Sequence, residues 1–223
     1  MLEWGHDDGR CDVGYDWTEL VWEQSGRLAD LLDEIDDADF DQPSLCEGWA
    51  VRDVIGHMLV GHTTPMPQML GLVLAYKGNV DKGSFEKSKE LAASLPPDEL
   101  RRRWRAVAEG HVTKGITKLI PKKEGFLDHF VHEQDIRRPF GLAAPTDEGR
   151  LRPALEAAVS LKGPMFAPAK RVHGVRLEAT DLDWSHGDGP TVRGTAEALI
   201  MAAAGRSAAV ADLDGDGVER IGS

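Results

Sequence analysis

Cysteine is nearly absent from this chain. Its 223 residues hold two, Cys11 and Cys46, with no C-x-x-C pair and no metal-type spacing. That excludes a disulfide framework and a closed cysteine–zinc site, and both residues are expected as free thiols in a reducing compartment. Positive charge is also scarce: 26 Lys and Arg stand against 38 Asp and Glu, a formal net charge of −12. Such a balance repels phosphate backbones, so no nucleic-acid partner is expected. Long apolar runs are missing as well. The longest, "MLGLVLAY" (69–76), is far too short to span a bilayer, and the acidic N-terminus "MLEWGHDDGRCDVGYDW" lacks the apolar core of a signal peptide. A soluble, cytoplasmic protein with no membrane contact is the expectation.

What the chain does have is an ordinary hydrophobic share, 41%, enough to bury a real core. From Asp16 to Ile35 apolar residues recur at helical spacing, leaving Glu19, Glu23, Arg27 and Asp30 in water. The acidic run "DEIDDADFD" (33–41) reads as a solvated helix end and turn. Ser44 stands three before Glu47, a capping-box spacing that predicts a short helical turn. A second helix is predicted from Val51 to about Val60, broken by Pro65 and Pro67. After the apolar piece to Tyr76, "KGNVDKGS" reads as a flexible loop. "PPDELRRRWRAVAEGHVTKGITKLI" then predicts a third long helix, and 123–138 a fourth. Beyond Ala144 the texture changes: a helix at 147–161, strand-like "VRLEAT", a Gly-rich turn, a second short strand, the helix "TAEALIMAAAG" and a last strand-like "SAAVADL". The fold class implied is mainly α, an antiparallel four-helix bundle over 1–145 with a smaller α/β domain over 146–223.

The stretch "EGFLDHFVHEQDIRRPFG" (124–141) carries the chemistry. On a helical wheel Leu127, Phe130 and Val131 form the apolar face, and Asp128, His132 and Asp135 fall within about 60° at its edge. His129 and Glu133 point away, toward solvent. An Asp–His pair at i, i+4 can aim a carboxylate oxygen and an imidazole nitrogen at one divalent metal, though the same spacing serves a plain surface hydrogen bond. A third ligand would come from elsewhere, and periodicity leaves His57 and His62 as alternatives.

"LCEGWAVRDVIGHML" followed by "DHFVHEQDIRRPFG" resembles the DinB-like superfamily, specifically the mycothiol-dependent maleylpyruvate isomerase family. Its first domain carries GW-x-VRD-x-x-x-H and, later, carboxylate-x-x-x-His-x-x-D. "GVRLEATDLDWSHGDGPTVRGTAEALIMAAAGR" is similar to its second domain, with the ATD, W-x-x-G-x-GP and GR landmarks. The resemblance implies a DinB-like bundle whose metal ligands are His57, Asp128 and His132. Asp128 stands where the isomerase pattern has Glu, and the "VHEQDIRRPFG" wording resembles an actinobacterial branch beside the isomerase itself. A divalent ion, zinc by the donor set, and mycothiol as co-substrate are implied, with a small electrophile as the other partner.

Two imidazoles and a carboxylate leave open positions, where metal could turn a thiol into the reactive thiolate. The activity implied is a thiol-dependent transferase or isomerase. A hydrolase using water on the same ligands, or a non-catalytic binding protein, are the alternatives. Arg206, in "AGRSAAV", is the candidate catalytic contact to a substrate or thiol carboxylate, with pairing to "DLDGDG" as the structural alternative. Asp53 and Asp135 are candidates to orient the ligating imidazoles, and Asp53 could instead pair with Arg52 or a neighbouring helix. Cys46 is expected as a packed core residue. Asp212, Asp214, Asp216 and Gly217 mimic half an EF-hand loop, but position 12 falls on Ser223, so the segment reads as a turn.

Overall fold

A computed structural model of the chain describes residues 14–221 apart from 78, 164 and 165. Cys11, the N-terminal segment and Ser223 lie outside the described residues. Helix α1 (Trp17–Glu34) starts where the Asp16 side chain accepts from the backbone N–H of Thr18 and Glu19, and its last carbonyls, Leu32 and Ile35 included, take the Arg101 guanidinium. Helix α2 (Val51–Thr63) follows, then α3 (Met66–Ala75), α4 (Val80–Ala93), α5 (Pro97–Glu109) and α6 (Lys122–Arg137). Helices α1, α2, α5 and α6 form the bundle, with α1 between α6 and α5, and α5 against α2. One core, with Leu31, Phe40, Ile55, Leu59, Trp104 and Ile136, fills it. The fold is mainly α, as expected.

Beyond the bundle come α7 (Glu148–Ser160), α8 (Pro168–Arg171), strands β1 (Arg176–Ala179), β2 (Ser185–His186) and β3 (Thr191–Gly194), then α9 (Ala196–Ala203), α10 (Ser207–Val210) and α11 (Val218–Ile221). The sheet runs β2-β1-β3, β1 antiparallel to β2 and parallel to β3. A second core, including Trp22, Phe126 and Phe130 with Leu155, Leu199 and Ile200, binds this half to α1 and α6. Among the described residues no helix is long and apolar enough to cross a membrane.

Five expectations need correction. The turn predicted at Ser44 is not helical: Ser44 Oγ instead donates to the Trp49 carbonyl and accepts from the Cys46 N–H, shaping a tight loop. The expected "KGNVDKGS" loop is mostly the start of α4, capped by Asn79. It packs on α2 through small residues: a Cβ on Gly56 would lie 2.5 Å from the Ser88 carbonyl. Small-residue contacts of this kind leave no apolar stripe to read. The third long helix stops at Glu109, where Gly110 caps it and His111 turns with φ 48°. The last strand-like segment is α10, because Asp214, not Ala209, exchanges backbone hydrogen bonds with Arg193 of β3. That exchange makes the acidic "DLDGDG" the expected turn. Finally, His129 and Glu133 face the interior, at 1% and 0% exposure. Helix α6 is packed by α1 on one side and α7 and α9 on the other, so it has little solvent face to offer.

Candidate functional site

Helices α2 and α6 bring His57 and His132 together, their rings 5.2 Å apart. One donor atom each of His57, Asp128 and His132 lies within 4.8 Å of the others. The i, i+4 spacing on α6 does part of this: His132 Nε2 stands 3.5 Å from Asp128 Oδ1. Both histidines are held through their other nitrogen. His132 Nδ1 is 3.0 Å from Asp135 Oδ2, and His57 Nδ1 is 3.4 Å from Ser84 Oγ of α4. An ionised carboxylate only accepts, so His132 donates from Nδ1 and leaves Nε2 for Asp128 or an ion.

Asp135 is fully buried and is the anchor of the site. It takes His132 Nδ1, the Cys46 thiol at 3.0 Å, and two nitrogens of Arg206, Nε at 2.7 Å and Nη2 at 2.6 Å. Arg206 reaches it because Gly205, at φ 89°, turns the chain sharply after α9. The alternative pairing of Arg206 with "DLDGDG" is not made; Asp212 of that segment receives Arg138. Asp53 accepts from the Ala50 N–H at the start of α2 and from Lys89 of α4, so it caps a helix and pairs with a neighbouring one rather than orienting an imidazole. Cys46 is half-buried, packed against the bundle core as expected, and its thiol also reaches Asp135 and Arg206. Sequence reasoning missed Cys46 and Ser84 as site neighbours. The first had a cue in its place before "EGW", and the second had none, since it sits on the helix read as a loop.

His62 is close by yet committed elsewhere. Its Nδ1 lies 2.7 Å from the Val112 carbonyl, so it donates there, and its Nε2 then accepts from His129 Nε2 at 3.0 Å. His129 Nδ1 faces Ser25 Oγ at 2.9 Å. Both ring nitrogens of each are used. Burial, then its neighbour His62, pushes His129 down to about 3, and burial lowers His62, so the pair is neutral.

The charges at the site itself are sharply divided. Burial, then His132, pushes His57 down to about 4. Burial opposes a charged His132, but Asp128 and the hydrogen bonds with Asp135 and Cys46 outweigh it, and its pKa is raised well above the usual imidazole value. Burial likewise disfavours charge on Asp135 and Asp128. Arg206 and His132 overcome it for Asp135, holding that carboxyl far below the usual carboxylate range, and His132 and His57 lower Asp128. One imidazole is thus a ready neutral donor, and the other is poised to exchange a proton for a cation. Two imidazoles and a carboxylate, with their second nitrogens anchored, fit a divalent ion with open positions.

A cleft of about 390 Å³ opens onto His132, lined also by Cys46, Glu47, Trp49 and Arg206. The Trp49 ring lies 5.1 Å from that of His57, so it walls the side from which His57 comes.

Residues 21–114 match the mycothiol maleylpyruvate isomerase N-terminal domain. That segment holds Cys46, Trp49 and His57, while Asp128 and His132 lie beyond it. No curated protein matches the chain. A crystal structure of the mycothiol-dependent maleylpyruvate isomerase aligns with TM-score 0.57 and 17% identity, covering 90% of this chain and 92% of that one. A histidine-to-alanine mutant of that enzyme aligns with TM-score 0.56 and 15% identity over the same shares. At such identity the likeness establishes the fold, over both halves of the chain. The family likeness thus rests on residues 21–114, and the likeness of fold extends over both halves of the chain.

Proposed function

We propose that the protein is a divalent-metal-dependent enzyme of the cytoplasm that joins a low-molecular-weight thiol, mycothiol, to a small electrophile, as a transferase or an isomerase. The observation that carries this reading is the convergence of donor atoms from His57, Asp128 and His132, the last of which lines the cleft. Those three residues would hold the ion, zinc by its preference for such donors. Bound there, it would lower the pKa of a thiol so that the thiolate predominates.

The chain's own residues supply the rest. Asp135 fixes the His132 tautomer and ring, and Arg206 fixes Asp135. In this reading Arg206 acts as a positioning residue, because two of its three nitrogens are given to Asp135. The cleft holds the electrophile beside the thiol, where attack becomes effectively unimolecular. Addition to an alkene, bond rotation and reversal give cis–trans isomerisation; addition without reversal gives a thiol conjugate.

The test begins with elemental analysis of the purified protein and of His132→Ala side by side. About one divalent ion per chain, lost in the variant, supports the ligand set; a wild type that takes up no zinc overturns it. Consumption of an electrophile must then require the thiol. Turnover without thiol would assign the site to water activation and a hydrolase.

A further inference from the structure

We propose that one end of the bundle, helix α3 together with the loop that leads into α6, is a docking face for a membrane surface rich in anionic lipid.

Two segments, 61–80 and 110–123, carry five lysines and no acid in a chain whose net charge is −12. The nearest acids in sequence, Asp81, Glu109 and Glu124, stand just outside them. The same two segments hold four of the five large hydrophobic side chains that lie exposed among the described residues: Met66, Leu70 and Leu74 on α3, and Leu119. The three leucines are more than half exposed, at 60%, 71% and 66%. On α3 the apolar residues recur at every fourth position and form one stripe, while Met69 is buried and the helix packs on α4. Backbone contacts bring the second segment to the start of the first. The N–H groups of Lys114 and Gly115 donate to the His62 carbonyl at 2.9 and 3.1 Å, and Thr117 Oγ1 donates to that of Gly61 at 3.2 Å. Lys77, Lys114 and Lys118 are exposed, and Lys122 and Lys123 stand over the Trp22 and Trp17 rings at 5.3 and 5.1 Å.

Leucines standing out of a helix among lysines suit an anionic bilayer surface. The apolar side chains enter the boundary between headgroups and acyl chains, and the ammonium groups stay with the phosphates. A second copy of the chain suits the face less well. Isologous pairing would set lysine against lysine, and four side chains cover well under the ~800 Å² per partner of a stable interface. The acidic remainder of the chain repels the lipid only within a Debye length, about 8 Å at physiological salt. The protein therefore binds with this end down, reversibly and in a salt-sensitive way. Among the described residues no helix crosses a bilayer; this face lies on one.

The test is co-sedimentation of the full chain with vesicles of phosphatidylcholine alone, and of phosphatidylcholine and phosphatidylglycerol in equal parts. We expect binding to the mixed vesicles only, lost as salt is raised. Lys114→Glu and Lys118→Glu should each weaken it about fivefold or more. Leu70→Ser combined with Leu74→Ser should weaken it comparably. Leu142→Ser, at an exposed leucine outside the face, should leave it unchanged. All five positions are exposed, and an unchanged urea midpoint confirms that each variant folds. Equal binding to both vesicles, binding to neither, or a loss with Leu142→Ser as large as with the α3 pair overturns the proposal. So does a dimer, seen by light scattering without lipid, that Leu70→Ser disperses; the face would then belong to a second copy.

Discussion

Arg206 donates to both oxygens of Asp135, at 2.7 and 2.6 Å, across 71 positions of sequence. The same carboxylate holds His132 Nδ1. A residue after α9 therefore sets the orientation of an imidazole on α6, and the two halves of the chain meet at the candidate metal centre rather than beside it. Asp135→Asn keeps the shape but loses the charge that fixes the tautomer. Zinc affinity should fall about 10–100-fold, measured by competition with a chelating dye. Arg206→Ala leaves a buried carboxylate uncompensated and should lower stability by about 3–5 kcal/mol in urea unfolding. Arg206→Lys should recover only part of this, since an ammonium cannot bridge both oxygens in the guanidinium's planar geometry.

Metal uptake should be coupled to proton release. The raised pKa of His132 keeps it an imidazolium in the metal-free protein at neutral pH. An ion at Nε2 must replace that proton. Zinc binding at pH 7 should release about one proton per ion, and affinity should weaken about tenfold for each pH unit of acidification. Calorimetry in buffers of differing ionisation enthalpy reads the proton count directly. A count near zero would contradict the charged His132.

Acid should destabilise the metal-free protein well above the range where carboxylates titrate. Burial, assisted by a neighbouring histidine, places His57 at about 4 and His129 at about 3. In the unfolded chain both return to ~6.5. Between these values the unfolded chain binds more protons, so the contribution of these two histidines is complete above ~6.5 and declines as pH falls. The slope should be about 1.4 kcal/mol per unit for each histidine while both titrate. Urea midpoints from pH 7 to 4.5 should show this decline, and His129→Gln should flatten it.

The seam between α2 and α4 should tolerate no added methyl. A Cβ on Gly56 would sit 2.5 Å from the Ser88 carbonyl and 3.0 Å from the Ala92 Cβ. Gly56→Ala should cost about 1–3 kcal/mol through overpacking, despite the better helix propensity of alanine. It should also displace Ser84 from His57, which a change in zinc affinity would report.

Local spacing was enough to recover much of this protein. Helices α1, α2, α6, α7 and α9 follow from apolar periodicity and caps, and the approach of Asp128 to His132 follows from one turn of helix, which no tertiary contact can alter. The resemblance singled out His57. Only the tertiary structure decided the rest. It set His62 apart by using both its nitrogens, on Val112 and His129. It buried His129 and Glu133 by surrounding α6, and it paired Arg206 with Asp135. It made a helix of 80–93 where small residues meet Gly56. The physical reason is common to all four. Periodicity records which face of a helix is apolar, but it carries no record of how many neighbours surround the helix or of which polar groups they offer.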